Sequence, residues 1–365
     1  MDKSLLLVVF LTLILIIVVT GFYYSNTRKS RGTRSVENQY KNKPKALASI
    51  NKTEAQFKYK VVDYFVASSY NSCCNGDFLN DYVSVETLRT VISQGPRLLD
   101  FEVYMVDGKP VVAASPYKST QVKGTYNSVP LLGTNGVIDV INRYAFSLKG
   151  SPNYKDPIFI NLRIKSDKMD YRALAQGFNK VFGPRLLGPE YSFEGRGKST
   201  LDIIQTPLTD LMEKVIVICS HPSNNFRGTK FEEIVNLSNN SPTFRYMTNY
   251  NIEFNNSPEG LESSNKTKCT LTLPDLSSGG GKATNVRAGM QRSYGCQMIC
   301  MNYQILDDQM EAYLKFHNED NGSAFVLKPE KLRYQPIKLK KPVKQNPELR
   351  HDPKVKTLDM YKVVA

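Results

Sequence analysis

The sequence predicts an α/β barrel that follows one N-terminal transmembrane helix. Apolar, strand-like runs alternate with runs of helical spacing from about residue 59 to residue 220. The strand-like runs are apolar on both faces, which is typical of a parallel sheet covered by helices. A stretch of this length, with no Gly-x-Gly-x-x-Gly sequence after its first strand, favours a closed barrel over an open sheet. Ahead of it, an uninterrupted apolar run predicts the transmembrane helix.

The apolar run extends from Leu5 to Thr20, and no charged residue lies between Lys3 and Arg28. At about 1.5 Å per residue, a helix of this length spans a hydrocarbon layer of roughly 30 Å. A cleaved signal peptide is the alternative, but its apolar core would be shorter and a small-x-small sequence would follow. Aromatic residues follow instead, at positions 22 to 24, as in an interfacial anchor. We therefore predict a retained anchor over residues 1–24.

The charge of the chain favours contact with an anionic surface. The net charge is +14, and many basic residues lie directly after the apolar run and in the last thirty residues. This placement indicates a lipid bilayer with anionic phospholipids as the partner, and no nucleic-acid binding is expected. Arg28, Lys29, Arg31 and Arg34 follow the span, against Lys3 on its other side. The positive-inside rule therefore predicts a single-pass membrane protein whose C-terminal domain lies on the cytoplasmic side.

After a basic linker over residues 25–57, predicted to be flexible, the periodic elements begin. In chain order they are a strand over 61–68, a helix over 84–93, strands over 98–104 and 110–114, a helix over 136–148, a strand over 157–164, a helix over 170–187 and a strand over 214–219. Residues 222–282 are rich in Asn, Ser, Gly and Thr and are predicted to be an irregular linker.

A second group of regular elements precedes the C-terminal tail. It consists of a strand over 295–304, a helix over 307–316 and a strand over 323–329. Residues 335–365 form a tail rich in Lys and Pro, which is too short for a domain and is predicted to be extended.

Two acidic residues, Asp100 and Glu102, lie two positions apart in the strand predicted over 98–104. Residues i and i+2 of a strand point to the same side of the sheet, so the two carboxylates face the same region. Two such carboxylates repel each other unless a cation or a proton lies between them, which makes the pair a candidate site for a hard metal ion. A solvated strand face is the alternative interpretation.

Two blocks of sequence carry more specific motifs. The first contains Ser-Ser-Tyr-Asn at residues 68–71 and Gly-x-Arg-x-Leu-Asp-x-Glu at residues 95–102. The second contains Gly-Cys-Gln-Met at residues 295–298 and Leu-Lys-Pro at residues 327–329. In this order the blocks resemble the X and Y regions of eukaryotic-type phosphoinositide-specific phospholipase C. The resemblance implies a distorted (β/α)8 TIM-type barrel of the phospholipase C-like phosphodiesterase kind.

The resemblance also divides the barrel and implies how the family works. Residues 58–221 would form an X-like half and residues 283–334 a Y-like half. In the family, Ca²⁺ lies in the barrel mouth, and two His residues cleave the lipid phosphodiester through a cyclic inositol phosphate. The two His positions fall on Tyr70 and Ala114 here. Tyr has a pKa near 10 and Ala carries no proton, so no family catalytic group is intact.

The calcium ligands of the family are preserved only in part. Three of them match Asn71, Asp100 and Glu102, but the fourth, a Glu in the family, is Arg163. This exchange replaces a negative charge with a positive one, which makes Ca²⁺ binding doubtful because affinity follows the charge of the ligands. We expect the Arg163 guanidinium to take the place of the metal and pair with the two acids. Continued Ca²⁺ binding is the alternative.

These features predict a membrane-anchored pseudoenzyme that binds lipid head groups or a partner through a phospholipase C-like barrel. One alternative is an active phosphodiesterase with a rearranged site, in which His221 supplies one proton transfer; a lone His after a strand is more often incidental. Another is a structural membrane protein of an enveloped particle. The family's substrate-binding run before residue 295 is missing, so the substrate-binding residues are unknown. The sequence leaves open any residual activity, the protein partners, the oligomeric state and the disulfide state of Cys73 and Cys74.

Overall fold

A computed structural model of the chain describes residues 3–43, 47–193, 202–220, 225–239, 241–275, 281–319, 322–336, 346, 355–358 and 361–364. The chain divides into two compact units, residues 1–334 and residues 335–365. The first unit contains the barrel.

The regular elements of the first unit follow one another along the chain. The strands are β1 (Tyr64–Ser69), β2 (Leu98–Val106), β3 (Lys109–Ala113), β4 (Val129–Pro130), β5 (Ile158–Ile164), β6 (Val215–Ser220), β7 (Val235–Ser238), β8 (Phe244–Thr248), β9 (Cys269–Leu273), β10 (Met298–Met301) and β11 (Phe325–Leu327). The α-helices are α1 (Lys3–Tyr40), α2 (Val85–Ser93), α3 (Val137–Ala145), α4 (Tyr171–Phe182), α5 (Asn249–Glu253), α6 (Pro258–Ser264), α7 (Ala288–Ser293) and α8 (Asp308–Asn318). In the second unit, β12 (Val355–Leu358) and β13 (Tyr361–Val364) form an antiparallel pair.

Eight parallel strands form the wall of the barrel. Their order is β7-β6-β5-β2-β1-β10-β9-β8, so the sheet is nearly closed, with β7 and β8 at its two ends. β3 pairs antiparallel with β2 and β4 with β3, and β11 pairs antiparallel with β1. Helices accompany the strands as the alternating sequence pattern requires. The predicted TIM-type barrel is confirmed.

Local sequence explains where two of the covering helices begin and end. The Ser84 side chain accepts a hydrogen bond from the Thr87 backbone N–H and so caps the start of α2. α4 ends at Phe182, earlier than the predicted 187, and a short 3-10 turn over Gly183–Arg185 follows. Gly183 has a φ of +43°, a conformation that stops an α-helix and that glycine adopts most easily.

The prediction of an irregular linker over residues 222–282 is wrong. This segment contributes β7, β8 and β9 to the barrel wall. These strands have four or five residues and mix apolar with polar side chains, so they lack the nearly continuous apolar pattern of β6. Some of their polar side chains are hydrogen-bonded inside the protein; Asn236, for example, accepts from the Val217 backbone N–H at 2.8 Å. Hydrogen bonding lets polar residues occupy barrel positions that the hydrophobic pattern does not reveal.

The prediction of a flexible linker over residues 25–57 also requires correction. α1 continues as one helix to Tyr40, and its last turns pack on the barrel. Val36 and Tyr40 are buried, and the Tyr40 hydroxyl donates to the Tyr303 carbonyl oxygen at 2.6 Å. Two apolar residues at i and i+4 are enough to hold one face of a helix against a protein surface. The basic composition of the segment obscured this narrow stripe.

The first half of α1 has a different character. Ser4–Tyr24 is long and apolar enough to cross a membrane, with a mean hydropathy of 3.2, and none of its apolar window is buried in the described structure. A signal sequence near an N-terminus has the same length and composition. α1 thus joins an exposed apolar segment directly to a segment packed on the barrel.

Candidate functional site in the barrel mouth

The register of β2 and β5 brings three charged residues together. Glu102 on β2 lies directly beside Arg163 on β5, and Asp100 lies beside Asn161. Because the two strands are parallel and alternate residues face the same way, Asp100, Glu102 and Arg163 point to one region. Asn71 lies two residues after the end of β1, beside these three side chains, and its φ is +41°. This is the carboxyl end of the barrel strands, where TIM barrels carry their functional residues.

The guanidinium of Arg163 lies at the centre of this group. Its Nε and Nη2 donate to the two carboxylate oxygens of Asp100, both at 2.8 Å, in a two-pronged contact. Its Nη1 donates to Glu102 Oε1 at 2.7 Å, and Nη2 also donates to Asn71 Oδ1 at 2.8 Å. Arg163 therefore touches all three residues that match the family's calcium ligands. Charge-assisted bonds of this geometry are the strongest that side chains make.

The remaining lone pairs of the two carboxylates are also occupied. On Asp100, Oδ1 accepts from the Asn161 amide at 2.6 Å, and Oδ2 accepts from the Asn71 backbone N–H at 3.1 Å. On Glu102, Oε2 accepts from the Tyr104 hydroxyl at 2.7 Å and from the Ser115 backbone N–H at 3.1 Å. Each oxygen of Asp100 therefore accepts two hydrogen bonds, one of them from Arg163. Glu102 Oε2 also accepts two, from Tyr104 and Ser115.

A second cation completes the charge balance. Lys165 Nζ lies 3.5 Å from Glu102 Oε1, so two basic side chains face two buried carboxylates. Burial opposes the charge of Arg163, but Asp100, Tyr70 and Glu102 outweigh it and raise the pKa of the guanidinium well above its ordinary value. For Lys165, burial prevails over Glu102 and lowers the pKa of the ammonium. The site is a compact, nearly neutral ion cluster.

The two positions where the family has histidines are both buried here. The Arg163 guanidinium lies over the Tyr70 ring, 4.6 Å from Cζ to the ring centroid, and the Tyr70 and Phe78 rings form a T-shaped pair. Burial raises the pKa of Tyr70 further above its ordinary value of 10, so the phenol stays protonated at neutral pH. Ala114 is fully buried, and its carbonyl oxygen accepts from the Thr125 backbone N–H at 3.0 Å.

The loop after β3 closes tightly over Ala114. A Cβ on Gly124 would lie 2.3 Å from the Ala114 carbonyl oxygen, so only glycine fits at this crossing. His221, the residue proposed for proton transfer in the alternative of a rearranged site, lies outside the described residues. His317 is on α8, and burial lowers its pKa to about 3, so this imidazole is neutral above that pH. Across the described ranges, no group of three or more His, Cys, Asp or Glu could hold a metal ion.

Several residues of the cluster escaped prediction from the sequence. Tyr104 is two positions after Glu102, and Asn161 is two positions before Arg163, so strand alternation could have placed both in the mouth. Lys165 follows the end of β5 by one residue. Tyr246 on β8, whose hydroxyl donates to Asn161 Oδ1, came from the segment taken for a linker.

The comparisons with known proteins agree with this architecture. Residues 57–220 match the family model described as phosphatidylinositol-specific phospholipase C, X domain. No curated protein matches the chain in sequence. The crystal structure of S. officinalis PLC21 superposes with a TM-score of 0.59 at 19% identity, over 76% of this chain and 38% of that one. L. pealei PLC21 gives 0.58 at 18% identity with the same coverage.

A further solved structure, a calcium-dependent phosphoinositol-specific phospholipase C from a Pseudomonas species, has a TM-score of 0.45 at 12% identity, over 71% of this chain and 94% of that one. The chain spans less than two fifths of the length of the two PLC21 proteins.

The fold and the matched region point to the same group of proteins. The barrel has the TIM-type fold of the solved phospholipase C structures. More narrowly, residues 57–220 are similar to the X domain of phosphatidylinositol-specific phospholipase C. The matched region ends at residue 220, so the likeness of residues 283–334 to the Y region stays a prediction.

The residues of the mouth do not fit the calcium ion that the family resemblance implies. A cation between Asn71, Asp100 and Glu102 would have to take the place of the Arg163 guanidinium, which already bonds all three. It would also meet a fixed positive charge where a fourth ligand should be.

Proposed function

We propose that this chain is a membrane-anchored pseudoenzyme, a phospholipase C-type barrel that has exchanged catalysis for lipid or partner binding at a membrane. The observation that carries the proposal is the contact of Arg163 with Asn71, Asp100 and Glu102. The Arg163 guanidinium supplies the positive charge that the two acids need. It links the strands of the barrel mouth without a metal, and Asp100 and Glu102 have a structural role as its partners.

The positions of Tyr70 and Ala114 support the loss of phosphodiesterase activity. The reaction of the family needs a base for the inositol hydroxyl and an acid for the leaving group, and each is commonly worth about 10² to 10⁴ in rate. A buried phenol whose pKa is raised is a poor base at neutral pH, and an alanine supplies neither role. The loss of both groups is expected to remove most of the acceleration.

The apolar segment Ser4–Tyr24 supports anchoring in a membrane. Because α1 continues without interruption into the turns packed on the barrel, the anchor would hold the barrel close to the bilayer. The basic residues after the span favour a barrel on the cytoplasmic side, or in a compartment derived from it. In this proposal the short, structured connection does the work of a separate lipid-binding module.

The test is a turnover assay on the full chain in vesicles that contain phosphatidylinositol, with Ca²⁺ or with a chelator. The expected result is no release of water-soluble inositol phosphate above the blank, while an active phospholipase C added to the same vesicles does release it. Turnover that His221→Ala abolishes would establish the alternative of a rearranged active site. Extraction of the full chain from membranes by alkaline carbonate would contradict the anchor.

A further inference from the structure

A groove separates the apolar part of α1 from two loops at the barrel mouth. Its volume is about 790 Å³. The residues that line it are Ile17, Thr20, Gly21, Tyr24 and Arg28 from α1, together with Tyr82 and Tyr126 from the loops. The five α1 residues recur at helical spacing, so they form one stripe on the helix. The groove lies apart from the Arg163 cluster.

The stripe changes from apolar to cationic along the helix. Ile17 lies at one end and Arg28 at the other, ~16 Å apart along the axis at about 1.5 Å per residue. The groove is open beside Gly21, which lies in the middle of the stripe: a Cβ built on this residue would have no described neighbouring atom within 4 Å. Tyr24 is the last residue of the apolar part of the stripe, and its side chain is 62% exposed.

The opposite wall is built from two aromatic rings. Tyr82 and Tyr126 pack with their centroids 5.3 Å apart, and the Arg28 guanidinium lies 5.7 Å from the centroid of Tyr126. The Tyr126 backbone N–H donates to the Asp81 carbonyl oxygen at 2.7 Å, which fixes one loop to the other. The Asp81 carboxylate lies near Arg28 and accepts hydrogen bonds from backbone N–H groups of its own loop, which hold it in a structural role.

Hydrogen bonds hold this wall to the helix. The Asn75 amide donates to the Lys29 carbonyl oxygen and to Thr33 Oγ1, both at 3.0 Å. Thr33 Oγ1 also lies 3.2 Å from the hydroxyl of Ser84. The two sides of the groove therefore keep a fixed spacing, as a binding site requires.

We propose that this groove binds one anionic phospholipid from the bilayer that α1 crosses, with its phosphate at Arg28 and an acyl chain along Gly21 and Ile17. The proposal rests on the membrane anchoring proposed above. The order of the lining groups matches the order of groups in a phospholipid: hydrocarbon, interfacial aromatic rings, then a cation at the depth of the phosphate. Arg28 lies four residues beyond Tyr24, ~6 Å along the axis, which is within a head-group layer of roughly 5 to 8 Å.

The experiment uses the full chain, reconstituted in nanodiscs of phosphatidylcholine and phosphatidylserine in equal amounts and then released into mild detergent. Native mass spectrometry counts the phospholipids retained by each chain and identifies their head groups. Gly21→Leu fills the groove and keeps the span apolar. Arg28→Gln removes the cation. Val19→Leu, on the opposite face of α1, and Lys29→Gln, which removes one neighbouring charge, are the matched controls.

The wild type and both controls are expected to retain one phospholipid, enriched in phosphatidylserine. Gly21→Leu should reduce its occupancy at least tenfold, and Arg28→Gln should reduce the preference for phosphatidylserine about tenfold, as for one lost charge-assisted bond. Equal retention in the two groove variants and their controls would overturn the proposal. A wild type that remains in the bilayer after alkaline carbonate but retains no lipid would overturn the groove alone. A wild type that carbonate extracts would overturn the anchoring as well.

Discussion

Removal of the Arg163 guanidinium is expected to destabilise the barrel strongly. In Arg163→Met the side chain keeps its approximate length but loses four hydrogen bonds to Asp100, Glu102 and Asn71. Asp100 and Glu102 have no exposed surface, so their charges stay buried, with Lys165 as the remaining basic neighbour. Removing one partner of a buried ion pair commonly costs about 3 to 5 kcal/mol, because the other charge is left uncompensated.

The assay is urea denaturation of the full chain in detergent micelles, followed by circular dichroism because the chain contains no Trp. A loss of about 3 to 5 kcal/mol corresponds to a midpoint lower by roughly 1.5 to 2.5 M at a slope near 2 kcal/mol/M. Arg163→Lys keeps the charge without the forked geometry, so it should fall between wild type and Arg163→Met.

The matched control is Arg143→Met on α3. Arg143 pairs with Asp139 at 2.8 Å in a half-exposed i,i+4 contact, which is typically worth about 0.3 to 0.5 kcal/mol. If Arg163→Met and Arg143→Met lowered the free energy of unfolding equally, by under about 1 kcal/mol, the central role of the buried guanidinium would be refuted.

Two further predictions concern the rest of the barrel. Burial raises the pKa of Asp156 from 3.8 to about 7, so the folded chain holds a proton that the unfolded chain releases, and stability should fall as pH rises from about 4 to 7. Asn does not titrate, so the free energy of unfolding of Asp156→Asn should rise relative to that of the wild type as pH increases from about 4 to 7, as measured by urea titrations. A difference between the two proteins that does not change with pH would contradict the raised pKa of Asp156. Tyr40→Phe removes the buried bond to the Tyr303 carbonyl and should cost about 1 to 2 kcal/mol, whereas Tyr23→Phe, at a 70% exposed position, should cost almost nothing. Equal midpoints for these two variants in the same urea titrations would contradict the packing of α1 on the barrel.

The part of the fold that the sequence predicted is the part with strong periodicity. β6 is an almost continuous apolar run, β5 is mostly apolar, and α2 and α3 carry regular apolar stripes, so both types of element were visible. β8 and β9 were not, because a short strand with alternating Arg, Thr and Tyr residues resembles a loop in composition. Their stability comes from partners that are distant in the chain, which local pattern does not register.

The candidate site was predictable to a similar degree. Asp100 and Glu102 follow from strand alternation, and the family resemblance supplied Asn71, Tyr70 and Arg163. Neither strand alternation nor the family resemblance predicts that the carboxylate oxygens are fully hydrogen-bonded. This depends on contacts between neighbouring strands, such as that of Asn161 on β5 with Asp100 on β2. The groove beside α1 depends on a helix that packs where a flexible linker was expected.

Calorimetric titration of the full chain with Ca²⁺ tests whether the Arg163 guanidinium has taken the place of the calcium ion. We expect no saturable heat, and the same thermal midpoint in Ca²⁺ as in chelator, because a ligand stabilises a fold only if it binds it. Saturable binding at micromolar Ca²⁺ that Asp100→Asn abolishes would show that the guanidinium has not replaced the ion.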